Sequence, residues 1–329
     1  MTDDRIEVLG IGNAIVDVIS QSDEEFLETQ GLSKGAMTLI DGEGAELLYK
    51  AMGPAVEVSG GSAANTMVGI SVLGGSSAFI GKVRDDQLGH IFRHDIRAAG
   101  VAFDSAFARE GASTARCLIF VTPDAQRTMA TYLGASVNIS PDDVEKDLVR
   151  RAGITYLEGY LWDSEAAKQA FLKAATIAHA SGNLVALSLS DPFCVDRHRE
   201  TFLDLVAGHV DILFANEDEI SSLYQVQDFD HALQAVRGHC CVAALTRSAK
   251  GAVVVSGDEV HVVDAEPVRK VVDTTGAGDL YAAGFLTGYA KNLPLFECSR
   301  LGAIAAAEII SHFGPRPESN LKALAQGIL

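Results

Sequence analysis

Seven residues near the C-terminal end, Asp273-Thr274-Thr275-Gly276-Ala277-Gly278-Asp279, followed by the small-residue run LYAAGFLTGYA, bring together the parts that phosphoryl transfer needs. Glycines on either side of Ala277 let the backbone come close to an anion. A helix opening just beyond leaves amide N–H groups without intrahelical partners, and these attract negative charge. Asp279 falls in the first helical turn, where the helix dipole favours its ionised form and it can take a proton from an attacking hydroxyl. A bare G-x-G-D would be explained as well by a tight loop and an ordinary acidic helix start. The longer string, set between a strand and a helix, shifts the balance toward phosphate chemistry, which asks mainly for alignment and charge stabilisation.

Other segments carry weaker signals. The stretch SGGSAANT around Gly60, Gly61, Ser62 and Asn65 reads as a glycine-rich turn with Ser62 capping a helix. Gly10-Ile11-Gly12-Asn13-Ala14-Ile15-Val16-Asp17 superficially resembles a dinucleotide fingerprint, but Ile15 stands where the third glycine belongs and no acidic partner follows at the right distance, which excludes a NAD-type site. Asp17 alone would pass as a turn carboxylate. Asn216 with Glu219 three residues later is a capping box. Arg127 is a basic residue in an otherwise apolar hairpin, where a solvated strand arginine is an equally good account.

In this order the motifs resemble the ribokinase-like (PfkB) kinases over essentially the whole chain, from Gly10 to Pro315. DTTGAGD matches the family's second signature, which implies Asp279 as general base, the amides of Gly276, Ala277 and Gly278 as an anion hole, and Thr275 and Gly278 as ATP contacts. SGGSAANT looks like the first signature, in which Gly60, Gly61, Ser62 and Asn65 would touch the acceptor. By the same resemblance Asp17, with Asn13 as helper, would accept two acceptor hydroxyls, a task suited to a carboxylate's two oxygens. Gly81-Lys82-Val83-Arg84-Asp85-Asp86 with Leu88-Gly89 follows a further family segment, with Arg84 in place of a glycine. Asn216 and Glu219 fit the N-x-x-E motif that acts on magnesium through water. Thr246 and Gly251 fit the nucleotide loop, with Ser248 in place of its first glycine, and Arg127 would neutralise the triphosphate or the transition state.

The resemblance therefore implies an ATP- and Mg2+-dependent phosphotransferase with an alcohol group as acceptor, and leaves open a monovalent cation such as K+ near Asp273. Within the family, GIGNAIVD, GAMTLID, GGSAANT and the Glu158-Gly159-Tyr160-Leu161-Trp162 passage look most like adenosine kinases, enzymes of purine salvage, with the 5′-hydroxyl as acceptor. Met37, Leu39, Leu161 and Trp162 would then wall a flat purine slot. A sugar kinase of the same family (ribose, fructose or related) and a catalytically silent nucleotide-binding regulator are the alternatives.

The elements that must hold these residues read as α/β. Apolar strand-like runs alternate with helical segments of ten or more residues from Pro141 onward, the mark of βαβ units and a mainly parallel sheet. Two β-rich excursions, about 14–50 and 101–133, interrupt that pattern and would form a small second sheet. The expectation is a ribokinase-like three-layer α/β/α fold, one domain over 1–329, with a β lid built from the excursions. Hydrophobic residues at 48% support a large core. A formal charge of −18 opposes nucleic acid and anionic membranes as partners, leaving a small-molecule acceptor. Cys117, Cys194, Cys240, Cys241 and Cys298 form no metal or disulfide spacing, and neither a signal peptide nor a spanning apolar run is evident. A cytoplasmic protein, monomer or homodimer, is expected.

Overall fold

The computed structural model describes residues 5–124 and 126–329. The acidic N-terminal residues 1–4 and Ala125, in the turn expected between the lid hairpin strands, lie outside the described residues. Strands follow in the order β1 (Ile6–Ile11), β2 (Ile15–Gln21), β3 (Met37–Leu39), β4 (Ala55–Gly60), β5 (Ser77–Ile80), β6 (Ala115–Val121), β7 (Arg127–Tyr132), β8 (Ala152–Glu158), β9 (Leu184–Ser188), β10 (Ile212–Asn216), β11 (Val242–Thr246), β12 (Ala252–Ser256) and β13 (Glu259–Val263).

Eight of them form one sheet in the order β13-β12-β11-β10-β9-β8-β1-β5. Every pairing from β11 to β5 is parallel, and the β11-β12-β13 edge is antiparallel. Side chains alternate between two cores, as a sheet covered on both faces requires. Val8, Tyr156, Ala186, Phe214 and Ala244 point to one cluster with the helices Ser62–Val72, Gln87–Ala98, Ala277–Ala290 and Leu295–Ile309. Leu9, Leu157, Leu187, Leu213 and Leu245 point to the other, with the helices Glu165–Ala180, Pro192–His209, Glu217–Tyr224 and Phe229–Val236. The expected three-layer α/β/α fold is what forms.

The remaining five strands make a second sheet, β3-β7-β6-β2-β4. It exceeds the expected excursion, because β4 (Ala55–Gly60) pairs antiparallel with β2 beyond residue 50. Within 14–50 there are also two helices, Glu24–Thr29 and Gly42–Ala51, N-capped by Asp23 and Asp41. The helix expected from Pro141 is instead a 3-10 turn (Pro141–Asp143) followed by the short helix Lys146–Arg151.

The helix that opens at the DTTGAGD loop is gripped on nearly all sides. Leu280 through Gly288 are buried, and Gly284, Gly288 and Gly302 let it meet the Leu295–Ile309 helix at close range. A Cβ at Gly284 would overlap the backbone of Leu301, and one at Gly69 would run into Leu280 and Ala283. Gly284→Val should therefore destabilise the protein by about 1–3 kcal/mol, the usual cost of overpacking, seen as a lower urea midpoint with an unchanged slope.

Candidate active site

The site residues gather where the chain leaves the C-terminal ends of parallel strands, the usual place for ligands in open α/β sheets. β1 delivers Gly12 and Asn13, β8 ends on Glu158, β10 on Asn216 and β11 on Thr246, the last two side by side in register. At the loop after Thr275, Gly276 adopts a left-handed φ of 80° as N-cap and offers no side chain to the helix amides. Ala277 N–H turns back to Thr274 O at 3.2 Å, so it serves the turn rather than an anion. Among the described residues, the amides of Gly278 and Asp279 find no acceptor, and the space a Cβ would take at Gly278 is open. An uncapped helix start with room in front of it fits the phosphates of a nucleotide.

Asp279 is held from the other side of the cleft. Ser62 Oγ donates to one carboxylate oxygen at 2.6 Å and Asn65 Nδ2 to the other at 3.1 Å. Burial pushes its carboxyl up, while these two hydrogen bonds and the charge of Arg316 pull it down. Asp17 lies close by, its carboxylate flat against Gly60, where a Cβ would sit only 2.6 Å from Cγ. Gly61 has a φ of 101° and packs on the carbonyl of Asn13, so neither glycine admits a side chain. Nearly buried, Asp17 accepts no hydrogen bond among the described residues. Burial raises it to about 6 against the lowering charges of Arg316 and Arg127.

Asn13 does not face the cleft. It is buried, donating to Glu158 at 2.6 Å and accepting from Ser136 Oγ at 2.8 Å. Glu158 also accepts the Ala63 amide at 2.8 Å, supplying across space the cap that Gly61 lacks, and burial pushes it up to about 7. Glu158 thus locks the β1 loop to the start of the Ser62–Val72 helix. In the sequence Glu158 stands out only within the Glu158–Trp162 passage, although an acid closing an apolar strand is a legible signal.

Arg127 reaches from β7 to form an ion pair with Asp273, both nearly buried. Thr275 N and Oγ1 occupy one oxygen of Asp273, and the Gly314 amide joins Arg127 on the other. The charge of Arg127 is therefore matched within the protein, and both oxygens of Asp273 are already engaged.

At the end of β10, Asn216 and Glu219 form a reciprocal capping box at 2.8 and 2.9 Å. Glu219 is buried and raised to about 7, with Asp191, Asp218 and Asp279 adding to the burial. Gly251 has φ 80° and abuts the backbone after β13, while Ser248 holds a left-handed φ of 51° in the place of the family's glycine. Arg84 donates its amide to Thr114, and Asp86 caps the Gln87–Ala98 helix, so that segment is structural.

Two expected walls of a purine slot part company. Leu161 and Trp162 are buried on the far face of the large sheet, where Trp162 packs on Phe171 and Phe202, because the 3-10 turn Gly159–Asp163 directs them there. Met37 and Leu39 are 54% and 60% exposed and share the face of Asp17, since register places Leu39, Thr131, Cys117 and Asp17 in one row.

A model of the "pfkB family carbohydrate kinase" matches residues 50–322. The chain belongs to this family. A probable sugar kinase from Rhizobium etli shares 52% identity with this PfkB chain, at a TM-score of 0.91 and 99% coverage of both chains. The adenosine kinase of Sinorhizobium meliloti shares 54%, at a TM-score of 0.90 over 98% of this chain and 99% of that one. Adenosine kinase of Saccharomyces cerevisiae is 26% identical over 93% of this chain and 95% of its own. This PfkB protein is accordingly a phosphotransferase with an alcohol group as acceptor, a sugar or nucleoside kinase, and kinases of the family use ATP with Mg2+. No helix of its described residues is long and apolar enough to cross a membrane.

The raised carboxylates have a measurable consequence. Asp17 titrates normally when unfolded and at about 6 when folded, so its contribution to stability is fully present below its unfolded value and is lost as pH rises through 6. Asp17→Asn removes that loss. Relative to wild type, its melting temperature should gain progressively from pH 4 to pH 7 and level off above, as followed by calorimetry across pH.

Proposed function

We propose that the protein transfers the γ-phosphoryl group of ATP to the 5′-hydroxyl of adenosine or a close nucleoside. The observation that carries this reading is the apolar face of the small sheet beside Asp17. Met37, Leu39 and Val56 are more than half exposed there, and Ile19 and Met129 lie between them. A flat base gains from such a surface, whereas a sugar alone leaves it wet. The adenosine kinase of Sinorhizobium meliloti, 54% identical, supports the same acceptor.

In this reading Asp17 accepts two ribose hydroxyls, which its unpartnered oxygens are free to do. Ser62 and Asn65 fix Asp279 through one lone pair on each oxygen and leave others free for the proton of the acceptor hydroxyl. The amides of Gly278 and Asp279 face the developing charge, while Gly276 supplies the turn. Bound ATP with Mg2+ supplies the phosphorus electrophile. Asn216, Glu219, Thr246, Gly251 and Thr275 line the nucleotide side, with Glu219 toward magnesium through water. Arg127 acts on this chemistry by anchoring Asp273 and thereby the anion loop. The small sheet serves as a lid that excludes water from the transfer.

A sugar acceptor is the second reading, favoured by the Rhizobium etli neighbour named as a probable sugar kinase. Measuring ADP release with adenosine, inosine, guanosine, ribose, fructose and fructose 6-phosphate decides between them. The nucleoside reading expects the highest kcat/KM with adenosine, and a preference for ribose or fructose would overturn it. Asp279→Asn should retain binding of both substrates while kcat falls about 10²- to 10⁴-fold. Turnover near wild type in that variant would remove Asp279 from the proton transfer.

A further inference from the structure

The C-terminal loop places a second arginine at the acceptor site that no sequence motif announced. Gly314 donates to Asp273 at 3.0 Å, Pro315 packs on Gly276, and Arg316 crosses to the small sheet, where one of its terminal nitrogens, Nη2, donates to both the carbonyl and the hydroxyl of Ser59. Ser59 in turn donates its amide and hydroxyl to Asp95 at 2.7 and 2.6 Å. The loop is anchored from behind by buried Glu308, which accepts the amides of Glu318 and Ser319 at 3.0 and 2.7 Å. Arg316 is therefore delivered by a braced segment.

Its other terminal nitrogen, Nη1, is buried and has no partner among the described residues. Among the described residues Arg316 makes no ion pair. Asp17 is the complementary case, a nearly buried carboxylate that accepts no hydrogen bond. The two are neighbours, because Arg316 binds the carbonyl of Ser59 and the Asp17 carboxylate lies against Gly60, the next residue along β4. Asp95 also acts on Arg316, but its Oδ2 is taken by the amide and hydroxyl of Ser59. A buried guanidinium N–H and a nearly buried carboxylate without partners among the described residues are costly alone and would offset one another.

We propose that Arg316 is the counterion of Asp17, a positioning residue that keeps the acceptor-binding carboxylate ionised and aimed into the cleft. The other charged and titratable groups facing Asp17 do not fill this role. Arg127 is paired with Asp273, Asp279 is an anion, and Cys117, beside Asp17 on β6, is a buried thiol pushed up to about 12. Of the charges that act on Asp17, that of Arg316 lowers it most. This inference rests on the proposed role of Asp17 only for its effect on the acceptor, not for the pairing itself.

The test is Arg316→Met, which keeps bulk and removes charge, beside Arg316→Lys, which keeps charge. The first readout needs no substrate: the carboxyl carbon of Asp17, followed by 13C NMR with aspartate labelling and assigned by its loss in Asp17→Asn. Its midpoint, expected near 6 in the wild type, should rise by about 1 unit or more in Arg316→Met and return most of the way in Arg316→Lys. The second readout is kcat/KM against pH for the best acceptor of the panel above. Its acid limb should move up by the same amount in Arg316→Met, with the KM for ATP unchanged. An Asp17 midpoint that stays in place in folded Arg316→Met overturns the inference. If instead the midpoint moves but Asp17→Asn leaves the acceptor KM unchanged, the pairing stands and the acceptor role of Asp17 falls.

Discussion

A helix whose first amides are left without acceptors, and which cannot shift because it is buried along most of its length, is the constraint on which the rest of this structure turns. Bare amides at a helix start are left to water or to a ligand, and they favour an anionic one. The Ala277–Ala290 helix has no freedom to retreat from that demand, since Gly69, Gly284, Gly288 and Gly302 let its neighbours close on it at backbone distance. The position of Asp279 is thus decided by packing well away from the cleft, and Ser62 and Asn65 only refine it.

Around that helix the two sheets are tied by polar contacts that cross between distant parts of the chain. Asp273 joins the loop before the Ala277–Ala290 helix to β7 through Arg127 and to the C-terminal loop through the Gly314 amide. Arg316 joins the same C-terminal loop to β4 through Ser59. Glu158 joins the end of β8 to the loop after β1 and to the Ser62–Val72 helix. Each contact is buried or half-buried, where a lost partner costs more than the bond itself contributes. The small sheet is consequently held against the loop before the Ala277–Ala290 helix at defined points while its outer strands keep an apolar face open to solvent.

Three carboxylates of the site, Asp17, Glu158 and Glu219, are raised by burial into the range of about 6 to 7. Their causes differ in ways that separate their tasks. Glu158 and Glu219 each accept from a backbone amide and a side-chain donor, which braces the loops beside them. Among the described residues Asp17 accepts from no donor, so its oxygens keep their lone pairs free. Carrying such a group at neutral pH lowers the stability of the free protein, an expected exchange at a binding site.

What could be read from the chain alone was whatever rests on local chemistry. The α/β class followed from strand and helix periodicities, and DTTGAGD followed from the demands that an anion makes on a backbone. The capping box at Asn216 and the glycines beside Asp17 were legible for the same reason, since turn geometry and close approach act within a few residues. Arrangement over distance was decided only by the fold. Nothing local distinguishes Leu161 and Trp162, which the Gly159–Asp163 turn carries to the far face, from Met37 and Leu39, which the strand register sets beside Asp17. Nor does any motif mark Arg316, because its role depends on a loop returning about 257 residues later to Ser59, and a guanidinium is matched to its carboxylate by geometry in space rather than by spacing along the chain.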